Sequence, residues 1–389
     1  MMRKNLLSLS FLFASFGLAL EPSDFTGNRK ATAEYLDADS SYQGLVLQID
    51  ALSIDQQNDA LDSISWGRLG QISSVLSNLI IGGTVSNLVY NHLEVLRVRH
   101  ANLPATSSPC RCGITIDYDV WAGGFFDQAR QKGEKQNPGY KTDQEGALLA
   151  FDYYGSSMGV VGAALSYGYT DLKQRNHAGN GSANSAVVGV YGTVYLGDAY
   201  IEVAGWGSYN QIKNKRNESI DGALINGSAS SSHHAWQADL HLSSGYDFIY
   251  GWVVLEPLAT VDCFSNWEQG FKEHGSAPVL FEVKERSGRE VRVESGLNLY
   301  QEFKGCWGSC VLRQSVSYIG KIGCSQITDV RVEHDYSNAT FGGWKNYVSP
   351  SFELFFNKKK DWFASLAYKG EYFSGYRSND WMGRIGMFF

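Results

Sequence analysis

The chain closes on Trp381-Met-Gly-Arg-Ile-Gly-Met-Phe-Phe389. Trp381, Ile385, Met387 and Phe389 fall on one parity, with Gly383 between them, while Met382, Arg384, Gly386 and Phe388 fall on the other. A period of two is the signature of a strand. A strand ending on its most apolar face is poorly suited to water, where an open edge and an apolar row both need cover. It suits a strand that closes a barrel in a membrane, where every backbone group is paired and one face meets lipid.

Working back from the end, the same alternation recurs. Segments 117–129, 143–154, 158–171, 183–196, 199–213, 231–247, 252–266, 290–303, 308–325, 340–356, 362–374 and 379–389 make twelve strands, an even number as a single-chain outer-membrane barrel requires. In the third, Val161, Ala163, Leu165, Tyr167 and Tyr169 oppose Gly162, Ala164, Ser166 and Gly168. In the eighth, Val291, Val293, Leu297 and Leu299 oppose Arg292, Glu294, Gly296 and Asn298. Small and polar residues on the second face leave room inside a ring. A soluble sandwich would turn that face to bulk water and has no need of small residues there.

The connections alternate as well. Arg130–Thr142, Leu172–Ser182, Asn214–Ser230, Trp267–Arg289 and Gln326–Ala339 are long and polar, and Gly375–Ser378 is the one short member of that set. The intervening turns, such as Gly197–Asp198 and Phe248–Gly251, are tight. Long loops outside and short turns in the periplasm is the outer-membrane arrangement. The expected fold class is therefore all-β, a 12-stranded antiparallel transmembrane β-barrel with a preceding helical linker.

Composition agrees. Of 389 residues, 13% are aromatic and 19% charged, with 42 Gly and 7 Pro, which suits apolar girdles outside and small residues within. A net charge of −7 gives no basic surface for nucleic acid. Arg3 and Lys4 precede an apolar run from Leu6 to Leu18, and Gly17-Leu-Ala19 offers a cleavage site, so residues 1–20 read as a signal peptide. That run is too short to span a bilayer as a helix. Cys110, Cys112, Cys263, Cys306, Cys310 and Cys324 lack zinc-site spacing and nearby histidines, so disulfides or free thiols are expected, and no metal or cofactor.

Before the strands the period changes. Ala60, Leu61, Ile64, Leu69, Ile72, Val75, Leu76, Leu79 and Ile80 recur at spacings of three and four, the face of an amphipathic helix that Gly82-Gly83 breaks. A second helical stretch spans about 85–100, with Leu88, Leu93 and Leu96 apolar and Glu94, Arg97 and Arg99 charged. Leu103–Pro109 is a linker. The division expected is 1–20 signal, 21–110 helical linker, 111–389 barrel.

Several local patterns resemble the autotransporter translocator domain of type V secretion. They are Ala60-Leu-Asp-Ser-Ile-Ser65, Trp121-Ala-Gly-Gly-Phe125, Gly146-Ala-Leu-Leu-Ala-Phe-Asp-Tyr153 with Gly159–Tyr169, Glu256-Pro257, and Tyr368-Lys-Gly-Glu371 with the terminal Phe389. The resemblance implies a bacterial outer-membrane protein with one helix threaded through the lumen. The 85–100 stretch is the candidate, and at 1.5 Å per residue it reaches roughly 20–25 Å, close to the apolar band height. Partners for Glu94, Arg97 and Arg99 are expected among Asp152, Glu202, Asp239, Glu256, Arg292, Glu294 and Arg384, whose charges would be costly on a lipid face. The resemblance also implies that Trp381, Ile385, Met387 and Phe389 form the barrel-closing strand and give the barrel-assembly machinery an aromatic end to recognise. Asn28 already resembles the start of the family's linker, which implies little or no passenger. Asn87 and Asn91 are not an Asn-Asn pair, so no self-cleavage site is carried over.

The leading expectation is thus an outer-membrane autotransporter barrel with little passenger, monomeric and embedded in lipid. The alternative is a surface adhesin or structural protein that meets a host or surface ligand through its loops. A barrel enzyme would rest on Glu333-His334-Asp335 with His233-His234, but adjacent residues in one loop cannot face each other as a relay must. No enzyme activity is expected. A porin is disfavoured by a plugging helix.

Overall fold

The computed structural model describes residues 28–38, 40–64, 84–101, 118–133, 139–155, 159–175, 178–219, 226–306, 308–324, 330–332, 334–336, 345–358 and 361–389. The expected signal peptide, the Leu103–Pro109 linker, Cys110 and Cys112 lie outside the described residues, as does the 65–83 part of the amphipathic stretch.

Twelve strands form the barrel. They are β1 Tyr118–Gln131, β2 Tyr140–Gly155, β3 Gly159–Gln174, β4 Gly179–Leu196, β5 Ala199–Ser219, β6 Asn226–Tyr246, β7 Val253–Glu268, β8 Arg286–Gly305, β9 Gly308–Cys324, β10 Lys345–Lys358, β11 Trp362–Phe373 and β12 Tyr376–Phe388. Each pairs antiparallel with its sequence neighbours. The first and last then pair with each other, from Asp119↔Phe388 to Gln131↔Tyr376. The seam is finished by Phe389 N–H donating to the Tyr118 carbonyl at 2.9 Å. Closure leaves no edge, which a sheet in hydrocarbon requires because no water is available to its backbone groups. Pro350 interrupts the β10–β11 register, which runs Val348↔Tyr372 and resumes at Ser351↔Lys369. Proline has no N–H to donate there.

The two faces separate by parity. On β12 Ile385 is 61% exposed and Arg384 4%. On β3 Val161, Leu165, Tyr167 and Tyr169 are exposed, whereas Val160, Ala164, Ser166 and Thr170 are buried. An exposed row of this apolar character around a whole ring is a lipid-facing belt. Tyr118, Tyr153, Tyr246, Tyr250, Trp252, Trp362 and Phe389 are exposed aromatics at the short-turn end, where a girdle meets the membrane interface. Among the described residues no helix is long and apolar enough to cross a membrane.

One expectation about the outer end changes. Asn214–Ser230 is not a long loop: β5 and β6 continue in register to Ser219↔Asn226. The polar residues there looked like a loop because strands above the membrane need no apolar face. Trp267–Arg289 is a long connection with structure of its own. It contains the short strands Phe271–Lys272 and Glu282–Val283, and the latter pairs with Val330–Val332 from the next outer connection.

Within the stretch expected as a helical linker, α1 Asn28–Ala38 and α2 Gln43–Asp50 are helical. Helix α3 covers Ile54–Ile64 and begins with a capping box. Ser53 N–H donates to Gln56 Oε1 at 3.2 Å, and Gln56 N–H donates to Ser53 Oγ at 3.5 Å. These short helices bury Ala33, Leu36, Val46, Ile49, Ala60, Leu61 and Ile64 against Phe271, Val279, Phe281 and Val283 of the outer β7–β8 connection. A small set of helices with few anchors cannot make a core alone. The barrel's own loop supplies the missing apolar half, so α1–α3 cap the outer mouth. Helix α4, Ser86–Ala101, runs through the lumen.

Candidate functional site: the plugged lumen

Inside the ring α4 is surrounded by wall, so apolar and polar residues alike are buried and each face of the helix matches the strands opposite. Its 16 residues extend about 24 Å at 1.5 Å per residue, close to the roughly 25 Å apolar band of such barrels. Val85, Leu88, Val89, Leu93 and Leu96 join a core with Trp121, Phe125, Phe355 and Phe363. Gly123 of β1 makes room for this packing, since a Cβ there would lie 3.1 Å from Leu88 Cδ2.

The polar stripe is Asn87, Asn91 and Glu94, at spacings of four and three, and hence on one helix face. Lys369 Nζ donates to Asn87 Oδ1 at 3.0 Å, and Asn87 Nδ2 donates to Asp380 at 3.4 Å. Arg313 of β9 donates to Asn91 Oδ1 at 2.6 Å and forms an ion pair with Glu94. Arg313 also lies 3.6 Å from Glu353, which pairs with Arg384. Arg384 in turn donates to the Leu88 carbonyl at 3.3 Å. On another face Tyr90 stacks on His241 with ring centroids 3.7 Å apart and accepts from Trp206 Nε1 at 3.3 Å. Towards the short-turn end, His92 Nε2 lies 2.8 Å from Asp152 and 3.5 Å from Asp119.

The structure therefore brings the expected lumen residues together, with different partners in several cases. Asp152, Glu202, Asp239, Glu256, Arg292 and Arg384 are buried inside the ring. Glu94 meets Arg313 and Asn298 rather than Arg292 or Arg384, because those two arginines lie under other acids. Arg292 is held by Glu294 at 3.3 Å and Glu371 at 2.9 Å. Glu256 accepts from Tyr200 and Tyr300, each at 2.6 Å. Glu202 lies 3.7 Å from His241, and Asp152 serves His92. The side chains of Arg97 and Arg99 lie outside the described residues, although both belong to α4. Trp381, Ile385, Met387 and Phe389 face outward on the closing strand.

Arg313, Glu353, Lys369, Glu371, Asn87, Asn91 and His92 were missed. A signal existed for some of them: Arg313 and Glu353 share parity with small polar residues of their strands, Ser315 and Ser317, and Ser349 and Ser351.

The fit leaves a polar cavity of about 60 Å³ beside the helix, lined by Tyr90, Asn91, Glu94, His241 and Arg313 among others. That is room for a few waters. Wall packing is close elsewhere: a Cβ at Gly189 would fall 2.1 Å from the Trp206 ring.

The outer mouth has its own buried charge. Arg216 of β5 pairs with Glu218 and with Glu273 at 2.7 Å, donates to the Val279 carbonyl at 2.8 Å, and stacks over Phe281 at 4.7 Å. It ties the β7–β8 connection to the rim beneath α1–α3. His334 and Asp335 of the suspected loop constellation lie in the short strand His334–Tyr336, while Glu333 lies outside the described residues.

The architecture has known counterparts. It is similar to the translocator domain of the autotransporter NalP from Neisseria meningitidis, with TM-score 0.57 and 15% identity over 81% of this chain and all of that one. It is also similar to the beta domain of the Bordetella autotransporter BrkA, with TM-score 0.52 and 16% identity over 70% of this chain and 99% of that one. In sequence it is 24% identical to Outer membrane protein A of Rickettsia conorii over 55% of this chain and 11% of that protein. It is 25% identical to Outer membrane protein B of Rickettsia japonica over 41% of this chain and 10% of that protein. The chain thus spans about a tenth of the length of these curated relatives. The family described as the autotransporter beta-domain matches residues 120–346, more than half of the chain. With a closed twelve-stranded barrel and a lipid-facing belt, this chain belongs to the autotransporter beta-domain family and is a protein of the bacterial outer membrane.

Proposed function

We propose that the barrel carries the segment preceding α4 to the cell surface, and that α4 then seals the pore and anchors that segment there. One observation carries this reading: the direction of the helix. Asn87 near its start meets Lys369 and Asp380, towards the outer ends of β11 and β12. His92, farther along, meets Asp119 and Asp152 at the short-turn ends of β1 and β2. The start of α4 therefore faces the outer end, where α1–α3 pack on the β7–β8 connection. The close fit of α4 disfavours open-channel conductance. Neither step is catalytic in this reading, and His334→Ala is expected to leave function unchanged.

The packing of α1–α3 with the β7–β8 connection also favours a second role, presentation of a surface for a host or environmental ligand. Insertion by the barrel-assembly machinery, guided by the aromatic end at Phe389, completes the proposal. The decisive experiment places an epitope after residue 22 and probes intact cells with antibody. Surface labelling is expected. An epitope reached only after the outer membrane is opened would end the export reading and leave a plain barrel.

A further inference from the structure

Asp119 and Asp152 stand directly opposite each other across the β1–β2 ladder. Like charges in that position repel at close range, and here both side chains are wholly buried. Among the described side chains, the basic group within ion-pair distance of either is the His92 imidazole, at 2.8 Å from Asp152 and 3.5 Å from Asp119. One oxygen of each acid is held by a neutral donor: Trp121 Nε1–H to Asp152 Oδ2 at 3.0 Å, and Tyr154 O–H to Asp119 Oδ2 at 2.7 Å. The other oxygen of each, Asp119 Oδ1 and Asp152 Oδ1, is buried and makes no hydrogen bond. The rings of Trp121 and Phe363 flank the imidazole with centroids at 4.5 and 5.1 Å and keep water away.

We infer that His92, Asp119 and Asp152 form a site for a divalent transition-metal ion of the Zn²⁺ kind, which pins the pore helix to the first barrel hairpin. One ligand atom from each residue lies within 4.8 Å of the others. Around zinc, nitrogen and oxygen ligands at about 2.0–2.2 Å stand roughly 3.4 Å apart in a tetrahedral set. The Nε2–Oδ2 separations of 2.8 and 3.5 Å bracket that value. Charge argues the same way. Two carboxylates with an imidazolium leave one negative charge in a closed site, whereas a divalent ion with a neutral imidazole leaves none. One nitrogen and two carboxylates suit Zn²⁺. Ca²⁺ and Mg²⁺ need six or more oxygens, which this dry site does not supply. The hydrogen bonds from Trp121 and Tyr154 are the orienting contacts that ligating carboxylates usually carry.

The test folds the full chain in detergent with Zn²⁺ alone, dialyses it against metal-free buffer, and measures retained ion by mass spectrometry. About one ion per chain is expected. His92→Gln and Asp119→Asn, checked for folding by heat-modifiable migration, should each fall to background. Co²⁺ loaded into the wild type should give the intense visible absorption bands of a nitrogen and oxygen site of fewer than six ligands, a readout that needs no variant. No retained ion in the wild type overturns the inference and leaves an imidazolium clamped by two acids. So does equal retention by folded His92→Gln, or a Co²⁺ spectrum matching the aqueous ion.

Discussion

Arg313→Met is the sharpest perturbation of the plug. Arg313 is almost fully buried and holds α4 by two contacts, the ion pair with Glu94 and the 2.6 Å bond to Asn91. Methionine keeps much of the volume and removes the charge. Breaking a buried pair from one side costs about 3–5 kcal/mol, because the remaining charge stays buried and unpaired. The lower end applies here, since Glu94 keeps Asn298 at 3.4 Å and Glu353 keeps Arg384. A cost of about 3 kcal/mol to the docked helix raises the undocked population more than about a hundredfold, at roughly 1.4 kcal/mol per factor of ten. The readout is single-channel recording in planar bilayers. Wild type should be closed with rare openings, and Arg313→Met should open far more often at the same unit conductance. The double variant Glu94→Gln with Arg313→Met should open less often than Arg313→Met alone, because no orphan charge remains. Indistinguishable opening frequencies for Arg313→Met and wild type would refute the idea that this pair holds the helix.

Four further outcomes are expected. Phe281→Ala removes an aromatic anchor shared by α1–α3 and the cation-stacking Arg216, and should cost the cap about 3–5 kcal/mol; limited proteolysis should then cut residues 28–64 while the barrel keeps its heat-modifiable migration. Arg29→Ala, which loses the Asp62 pair at 2.6 Å and the Asn58 bond at 3.0 Å, should have the same effect at about 1 kcal/mol, because the pair is only part-buried. In otherwise cysteine-free chains on intact cells, Asp55→Cys should react with an impermeant maleimide and Cys306, exposed in a short turn, should not. The reverse pattern would invert the orientation. Deleting Phe389, whose ring stacks on Tyr118 at 5.4 Å across the seam, should lower the yield of inserted barrel.

The twelve strands were legible in the linear chain because their cause is local, whereas the place of α4 in the lumen was implied by the likeness to the autotransporter family. Lipid on one side and a crowded lumen on the other impose a period of two on each crossing strand, and short turns alternate with longer connections. The same rule placed Asp152, Glu202, Asp239, Glu256, Arg292 and Arg384 inside, since a charge facing hydrocarbon is costly. It failed above the membrane. There β5 and β6 continue through polar residues with no lipid to enforce alternation, and α1 and α2 bury apolar residues against a loop more than 200 positions away.

What the sequence by itself determined is thus the number of strands, which faces meet lipid and where the ring closes; that the 85–100 stretch enters the ring was implied by family likeness. Only the tertiary structure decided who pairs with whom inside. Arg313 holds Asn91 across 222 positions, and His92 reaches the facing Asp119 and Asp152. Those contacts depend on the rotation and depth of α4 within the ring. Both are set by the summed fit of helix and wall, which leaves no periodic trace in either segment.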